Sequence, residues 1–323
     1  MNSMRVGAVD CGTNSIRLLV ADVDADTGAL RDVTRQMQIV RLGRGIDATG
    51  QIAPESMEAT LAAAREYALA CTETGCGSVR FVATSASRDA ANADEFFTGV
   101  HEAFAAFGTE PEVISGEQEA ALSFAGATVD LRAQQVAAPY LVVDIGGGST
   151  EFVLGEHDVE QSRSVDIGCV RMTERHLHND PPTEDQAWAA LADITRSIEE
   201  AAEVVDFSRV ATLVGLAGSV TTVTAHALGL TAYDAQQIHG AELPADEVVA
   251  AASSLLTMTA EQRRGLGFMH PGRVDVIGAG ALVWRTVVQR LQRDAGLSTV
   301  RTSEHDILDG IALSQVGTGD SGR

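Results

Sequence analysis

The sequence predicts an α/β protein built from two related domains, and two observations support this prediction. Strand-like apolar segments alternate with alanine-rich segments of helical period along most of the 323 residues, which is typical of the α/β class. In addition, residues 9–24 and 143–158 share the pattern V-D-x-G-x-x-S followed by an alternating apolar run. Each copy predicts a strand, a tight glycine turn and a return strand, so we expect each domain to begin with the same hairpin.

The first half of the chain continues with alternating helices and strands. A helix is predicted from Pro54, which suits a first helical turn, to Gly75 and Gly77, where the helix should stop. Three more segments follow: a strand and turn at 78–92, a helix at 93–107 ended by Gly108, and a short strand, a Ser-Gly corner and a helix from about Glu117. Residues 132–139 begin with polar side chains, continue with small ones and end in Pro, a composition typical of a domain boundary. We therefore expect domains over residues 1–130 and 131–323.

The second half predicts several helices and two further strands. A long amphipathic helix is expected over 183–205, and a strand that passes into a helix is expected over 210–229. Further helices are predicted at 244–259 and 281–296, followed by a strand and a closing helix within 299–317. We expect the closing helix, at 304–316, to pack back on the first domain.

The charge balance limits the possible partners and mechanisms. The chain has 45 acidic and 23 basic residues, which gives a formal net charge of −22 and argues against nucleic acid or an anionic membrane as a partner. All 23 basic residues are Arg, and the sequence contains no Lys. Mechanisms that need a P-loop lysine, a Schiff-base lysine or a kinase-type catalytic lysine are therefore excluded.

Hydropathy and cysteine content predict a cytoplasmic protein. No stretch approaches the roughly 18–20 apolar residues that a membrane span needs, and no basic-then-apolar leader is apparent. The four cysteines include no C-x-x-C pair, so we expect small buried side chains rather than a disulfide framework or a zinc site.

Both repeated turns have the composition of a phosphate-binding site. Glycines leave backbone N–H groups open to an anion, and hydroxyl and amide side chains add donors. A lone glycine turn is more often structural, but the repetition of an Asp before it and a Ser within it favours a function. The phosphate-binding residues predicted here are Gly12, Thr13, Asn14, Ser15, Gly146, Gly147, Gly148 and Ser149.

An acidic residue ends the strand before each turn. Asp10 and Asp144 close apolar runs, where an unpaired carboxylate would be costly. Mg²⁺ or another divalent cation, shared with phosphate oxygens, would remove that cost, and Glu151 on the second return strand can reach the same region. We therefore predict these three residues as metal ligands. The alternative is that the two aspartates only cap their turns.

A third glycine motif, "GLAGSVTT" at 215–222, lies where a strand passes into a helix. The N-terminus of such a helix presents amides to an anion, so Gly218 and Ser219 join the predicted phosphate-binding residues. The motif is less specific than the hairpins, because many strand-to-helix turns contain two glycines.

The three motifs, in this order, resemble the phosphate-1, phosphate-2 and adenosine motifs of the actin, Hsp70 and sugar-kinase superfold. The resemblance implies two ribonuclease-H-like, actin-like domains with an interdomain cleft. Within that superfold, five segments stand in the order and spacing of the exopolyphosphatase/guanosine pentaphosphate phosphohydrolase (Ppx/GppA) family: "DCGTNSIRLLVADV", "FVATSASRDAAN", "EVISGEQEA", "LVVDIGGGSTEFV" and "DIGCVRMTE". The chain is similar to this family from residue 5 to about 315.

The family resemblance implies roles for two further residues. Glu119 lies at the second acid of the family's S-G-x-E-E-A corner, which implies that it is the general base that takes a proton from the attacking water. Where the family has the first glutamate of that pair, this chain has Gln118, so Glu117 is the alternative candidate for the general base. For either glutamate, the non-catalytic alternative is an acid that only stabilises the first turn of a helix. Arg88 matches an arginine that holds the phosphate chain, with a surface ion pair as the alternative. Two weaker candidates for the same role are Arg41 and Arg171.

The resemblance implies a Mg²⁺-dependent exopolyphosphatase that releases orthophosphate from the end of inorganic polyphosphate. The alternative substrate is guanosine pentaphosphate (pppGpp), cut at its 5′ end to give ppGpp. Two other classes stay open: a sugar or acetate kinase, for which no acceptor-binding motif is apparent, and a non-catalytic phosphate or alarmone sensor. Long family members have an additional C-terminal helical region that this chain stops before, so we expect a preference for short polyphosphate. A homodimer is possible on the family pattern.

Overall fold

The structure is a computed structural model that describes residues 3–25 and 28–316, without the side chains of Ser85 and Asp89. The chain forms two compact units. Unit 1 comprises the residues up to Gly126 together with those from Ile307 onward, and unit 2 comprises Ala127–Asp306. The chain therefore passes between the units twice, after Gly126 and after Asp306.

Unit 1 is built on a five-stranded sheet. Its strands are β1 (Ser3–Cys11), β2 (Ser15–Asp24), β3 (Leu30–Ile39), β4 (Ser78–Ala83) and β5 (Glu112–Val113), in the order β3-β2-β1-β4-β5. The first three strands pair antiparallel, whereas β4 pairs parallel with both β1 and β5. Both faces of the sheet are covered, because alternate residues of β2 enter two different hydrophobic clusters.

Unit 1 contains the three helices predicted for it and two short helices, at Ile46–Thr49 and Ser85–Asp89, that were not predicted. In chain order, the helices are α1 (Ile46–Thr49), α2 (Pro54–Thr74), α3 (Ser85–Asp89), α4 (Ala93–Ala103) and α5 (Gly116–Ala133), which continues into unit 2. The predicted start of α2 is confirmed, because Pro54 lies in its first turn, and of the two glycines predicted to stop the helix it is Gly75 that ends it, with a φ of 73°. The helix predicted over 93–107 ends earlier, at Ala103, and a 3₁₀ turn at Ala105–Phe107 follows it.

Unit 2 repeats the arrangement of unit 1 around a six-stranded sheet. Its strands are β6 (Tyr140–Ile145), β7 (Thr150–Gly155), β8 (Val159–Val165), β9 (Thr212–Leu216), β10 (Glu242–Pro244) and β11 (Thr299–Thr302), in the order β10-β11-β9-β6-β7-β8. β6, β7 and β8 pair antiparallel, and β9 pairs parallel with β6 as β4 does with β1. The prediction that the repeated motif forms the same hairpin twice is confirmed.

The helices of unit 2 pack mainly around α12. They are α6 (Cys169–His176), α7 (Glu184–Ala202), α8 (Ala217–Ala227), α9 (Ala235–Ile238), α10 (Ala245–Thr257), α11 (Ala260–Arg264) and α12 (Ile277–Asp294), with 3₁₀ turns at Phe207–Arg209 and Pro271–Arg273. Trp284 on α12 is fully buried. The prediction that this helix starts at residue 281 is wrong, because its first turn contains Gly278 and Gly280, which allow neighbouring side chains to approach closely.

The last helix, α13 (Ile307–Ser314), packs on β1 and β2 within unit 1. Ile307, Leu308 and Ile311 belong to the hydrophobic cluster on that face of the sheet. The buried carboxylate of Asp309 accepts from Arg35 Nη2 at 2.7 Å, so its charge is balanced by a strand residue.

Neither disulfides nor membrane-spanning helices are found among the described residues. All four cysteines are free, and Cys11, Cys71 and Cys169 are buried. No helix in residues 3–25 or 28–316 has the length and apolar run that crossing a bilayer requires.

Candidate active site

Two acidic side chains of unit 2 lie opposite each other beside a glycine turn. Asp144 on β6 is aligned with Glu151 on β7, and directly opposite residues of antiparallel strands project from the same face of a sheet. Asp144 is 7% exposed and Glu151 is 0% exposed. The Ser164 hydroxyl donates a hydrogen bond to Glu151 Oε1 at 2.7 Å. Two carboxylates are therefore concentrated in a buried patch, where like charges repel unless a cation or a proton compensates them.

The glycine turn between β6 and β7 directs its carbonyl oxygens toward helix α6. The three carbonyls accept hydrogen bonds of 2.9–3.1 Å from the first residues of α6 and from Gly168, which precedes it. These carbonyls belong to Gly146, Gly147 and Gly148. The C=O and the following N–H of a trans peptide point in opposite directions, so the next three amides point away from α6. No backbone carbonyl among the described residues accepts from the amides of Gly147 or Gly148, so these donors are available to an anion.

Two residues behind the turn hold it in place. A Cβ on Gly168 would lie 2.2 Å from the carbonyl carbon of Gly147, so only glycine permits this approach. Arg171 is 8% exposed and donates from Nη1 to Gly148 O at 3.0 Å and to Asp166 Oδ1 at 2.6 Å. The described contacts of Arg171 therefore support the turn, and its predicted contact with the phosphate chain stays a prediction.

Helix α8 begins directly after β9, at the third glycine motif. Its N-cap residue, Leu216, makes no side-chain cap, so the first amides of this helix are available to an anion. Ala217 has a φ of 66°, a left-handed conformation that is costly for a residue with a Cβ and that concentrates at functional sites.

An arginine that the sequence analysis missed lies against the same motif. A Cβ on Gly218 would be 2.3 Å from Cζ of Arg273, so this glycine makes room for the guanidinium beside the start of α8. The sequence offers little reason to select Arg273, because this residue lies far along the chain from the "GLAGSVTT" motif and belongs to no glycine motif of its own. Ser219 is 6% exposed and packs its hydroxyl against Gly280. The structure therefore adds a cation to the predicted phosphate-binding residues of this turn.

The first hairpin has an ion pair where the second has two acids. Asp10 on β1 is aligned with Arg17 on β2, and Arg17 donates from Nε and Nη2 to Asp10 Oδ2 at 3.0 and 2.6 Å. Asp10 is 5% exposed. The charge that the sequence analysis assigned to a metal is thus balanced by an arginine, and the metal-binding role of Asp10 stays a prediction.

The first glycine turn is anchored by the segment that follows β3. Gly12 N donates to Ser15 O at 2.9 Å, which closes the turn. Thr13 O accepts from Gly43 N at 2.8 Å, and Asn14 O accepts from Arg41 N at 2.9 Å. Arg41, the other weaker candidate for binding the phosphate chain, has a φ of 52°. Its backbone is therefore in the left-handed conformation where it contacts the turn.

Glu119 and Arg88 form an ion pair at the start of α5. Glu119 is 8% exposed, and its Oε2 lies 3.5 Å from Arg88 Nη1. The same Nη1 donates to the carbonyl of Ile114 at 2.5 Å. A guanidinium beside a carboxylate favours its ionised form, which is the form that can accept a proton.

The two residues before Glu119 differ from it in contacts and burial. Gln118 Oε1 accepts from Ser115 N at 2.9 Å, and Gln118 N donates to Ser115 Oγ at 3.2 Å, so this pair forms a capping box. Glu117 is exposed. Of the two glutamates considered as the base, Glu119 is the buried one that contacts an arginine.

The predicted site residues lie at the carboxyl edge of the parallel strands in each unit. In unit 1, the Gly12 turn follows β1, Arg88 lies in α3 after β4, and Glu119 lies in α5 after β5. In unit 2, the Gly146–Ser149 turn follows β6 and the start of α8 follows β9, with Asp144 aligned with Leu216. This is the edge at which α/β proteins bind ligands.

Comparison with known proteins identifies the family. The model of the Ppx/GppA phosphatase family matches residues 19–315. The chain belongs to the Ppx/GppA phosphatase family. One relative, Exopolyphosphatase 2 of Mycobacterium tuberculosis, is 50% identical over 317 residues, which cover 97% of this chain and 99% of that protein. Another, the guanosine-5′-triphosphate,3′-diphosphate pyrophosphatase of Aeromonas hydrophila, is 33% identical over 68% of this chain and 43% of its own length.

Solved structures of Ppx/GppA proteins resemble the whole chain. An exopolyphosphatase-like protein superimposes with a TM-score of 0.93 at 43% identity, covering 98% of both chains. The Aquifex aeolicus PPX-GPPA enzyme superimposes with a TM-score of 0.78 at 28% identity, covering 97% of this chain and 99% of that one. Ppx/GppA proteins have the actin-like ATPase fold, so the predicted α/β class and actin-like fold are confirmed.

Proposed function

We propose that this protein is an exopolyphosphatase, which hydrolyses the terminal phosphoanhydride of inorganic polyphosphate and releases orthophosphate. The observation that supports this most directly is the buried pair Asp144 and Glu151 beside a glycine turn in which the amides of Gly147 and Gly148 donate to no described backbone carbonyl. Two carboxylates suit a metal ion, and the amides of the glycine turn beside them suit a phosphate. The 50% identity to Exopolyphosphatase 2 of Mycobacterium tuberculosis supports the same substrate class.

Asp144 and Glu151 fit a divalent cation, and the family is generally dependent on one. Both donors are carboxylate oxygens, which Mg²⁺ prefers, and their mutual repulsion in a buried patch is relieved by a cation. Asp10 fits less well, since Arg17 already balances its charge. When bound, Mg²⁺ would neutralise charge on the phosphate oxygens near the scissile bond. We propose Asp144 and Glu151 as its ligands, with Asp10 as a weaker candidate.

The phosphate chain is held by amides, hydroxyls and arginines in the absence of any lysine. The Gly146–Ser149 turn, the Gly12–Ser15 turn and the start of α8 at Gly218 and Ser219 provide the donors. We propose that Arg273 adds a positive charge beside Gly218, and that Arg88 binds the phosphate chain near Glu119. Positioning of this kind supplies most of the catalysis in phosphoryl transfer.

Glu119 is the proposed general base. Its carboxylate takes a proton from water while the water oxygen bonds to the terminal phosphorus and the bridging P–O bond breaks. The electrons of that bond stay on the shortened polyphosphate, and orthophosphate leaves. No covalent protein intermediate is needed, so the buried Cys169, whose pKa is raised by burial, has no nucleophilic task.

Guanosine pentaphosphate is the second candidate substrate. The relative from Aeromonas hydrophila, which acts by its name on guanosine-5′-triphosphate,3′-diphosphate, is 33% identical over 68% of this chain. Both substrates end in a phosphoanhydride that would reach the same base. A homodimer and a cytoplasmic location stay predictions from the sequence.

The experiment that tests this function is orthophosphate release from short polyphosphate, long polyphosphate, guanosine pentaphosphate and ATP, with Mg²⁺ and with EDTA. We expect release from polyphosphate that stops with EDTA and in Glu119→Gln. Release from guanosine pentaphosphate alone would change the substrate. No release from any of them, with the anions still bound, would make the protein a sensor.

A further inference from the structure

Unit 2 contains a second group of metal-ligating side chains, separate from the acid pair on β6 and β7. Asp130 lies near the end of α5, His239 follows α9, and His305 precedes the end of unit 2. His305 Nδ1 is 2.8 Å and His239 Nε2 is 3.3 Å from the same carboxylate oxygen, Asp130 Oδ2. One ligand atom from each of the three residues lies within 4.8 Å of the other two.

The spacing and chemistry of these donors suit a transition metal. A tetrahedral ion with bonds of about 2.1 Å holds its ligands about 3.4 Å apart, which matches the 3.3 Å between His239 and Asp130 and needs the 2.8 Å between His305 and Asp130 to widen. Two imidazole nitrogens and one carboxylate oxygen are typical ligands of Zn²⁺ and related ions, whereas Mg²⁺ prefers oxygen alone. With three protein ligands, a fourth position is left for water.

The site is accessible to an ion from solution. The side chains of Asp130, His239 and His305 are 36%, 30% and 37% exposed. The two imidazole rings lie with their centroids 4.4 Å apart, so their nitrogens are already held near one another. Little rearrangement is therefore needed to bring three ligands to one ion, and the net charge of −22 attracts cations to the surface.

One hydrogen bond has to change when a metal binds. Glu304 N donates to His239 Nδ1 at 3.2 Å, so a neutral His239 carries its ring proton on Nε2, toward Asp130. Coordination through Nε2 moves that proton to Nδ1 and releases the Glu304 amide. The bond is long and the ring is partly exposed, so water can replace it. We therefore expect a weaker site than a structural zinc site whose histidines donate to carbonyl groups.

We propose that Asp130, His239 and His305 form a binding site for Zn²⁺ or a similar transition-metal ion. Asp130 lies just after the chain enters unit 2 at Ala127, and His305 lies just before the chain leaves it at Asp306. An ion at this site cross-links the two ends of unit 2. Closing so long a loop restricts the unfolded chain and stabilises the folded unit. The site is independent of the proposed hydrolase activity.

The test is Zn²⁺ binding to the metal-free full chain without an affinity tag, by titration calorimetry in excess Mg²⁺. Co²⁺ absorbance provides a spectroscopic signature of tetrahedral coordination. We expect one ion per chain, an increase in Tm with Zn²⁺, and binding at least about tenfold weaker in Asp130→Asn, His239→Gln and His305→Gln. His178→Gln removes an exposed histidine elsewhere and should bind as the original protein does.

Two results would overturn the proposal. The first is no saturable uptake of Zn²⁺ or Co²⁺ by the original protein, which needs no variant and so does not depend on any variant folding. The second is uptake that survives in all three correctly folded variants or that is displaced by Mg²⁺. Neither result bears on hydrolysis, because no activity is measured.

Discussion

Asp144 and Glu151 face each other across the second hairpin, whereas at the equivalent position of the first hairpin Asp10 faces Arg17. The repeat thus provides the same backbone geometry twice with different charged side chains facing each other. In unit 1 the arginine compensates the acid through contacts of 2.6 and 3.0 Å. In unit 2 two acids are paired in a buried patch, so we expect a metal to matter most at the second hairpin.

We expect Glu151→Gln to lower kcat/KM for polyphosphate by about 100-fold or more, because a metal that polarises a phosphoryl oxygen supplies several kcal/mol. The same variant should unfold at a higher temperature than the original protein in EDTA, since one of two like charges is removed. Phosphate release and thermal unfolding, each with and without Mg²⁺, measure both effects. Glu156→Gln changes an exposed acid after β7 and is the control. Equal loss of activity in both variants would contradict the metal role.

Glu119→Gln should lower kcat by about 10²–10⁴-fold with little change in KM, because the loss of a general base affects the proton transfer and not the ground-state binding. Glu117→Gln is a matched control, two residues away on the same helix but exposed, and should stay within about twofold of the original rate. Steady-state phosphate release distinguishes them. If Glu117→Gln were the inactive variant, the base would be assigned to that residue.

Gly168→Ala should damage the second glycine turn from behind. The added Cβ would lie 2.2 Å from the Gly147 carbonyl, so the turn must shift, at a cost of about 1–3 kcal/mol in stability. The displaced amides should also raise KM for polyphosphate. Urea unfolding and steady-state kinetics measure these effects. Gly77→Ala, whose Cβ would meet nothing nearer than 3.6 Å, is the control. An unchanged KM in Gly168→Ala would show that the turn does not bind substrate.

Arg273→Gln should raise KM for polyphosphate and make KM less dependent on salt, because a charge beside the start of α8 is lost and charge interactions are screened by ions. The measurement is KM across a series of NaCl concentrations. Arg196→Gln removes a 68% exposed arginine and should change neither quantity. A salt dependence that is identical in the original protein and Arg273→Gln would contradict a substrate contact.

The thiol of Cys76 should react at an unusually low pH. A hydrogen bond from Cys71 lowers the pKa of Cys76 to about 7, although burial opposes the shift. The reactive thiolate therefore accumulates as pH rises through about 7, and the rate of alkylation by iodoacetamide should reach half its maximum there. Cys71→Ala removes the donor and should move the midpoint upward. A midpoint near the ordinary thiol value of about 8.5 in the original protein would contradict this.

The sequence by itself determined the elements that depend on local pattern. The helical period, with Pro54 at the start and Gly75 and Gly77 at the end, predicted α2, and the V-D-x-G-x-x-S repeat predicted both hairpins. The position of Glu119 at a strand-to-helix corner also followed from its motif. These features depend on residues close together in the chain, so a short stretch of sequence is enough to predict their backbone conformation and burial. Strands β3 and β8 were not predicted, because they are partly exposed and largely polar and so lack a clear apolar pattern.

Only the tertiary structure decided which charges meet. It paired Asp10 with Arg17 and Asp144 with Glu151 through strand register, although one motif described both turns. The tertiary structure also places Arg273 against Gly218, a contact that no local sequence pattern predicts. The physical reason is that electrostatic compensation depends on distances between residues remote in sequence, and these distances exist only after the sheets and helices have packed.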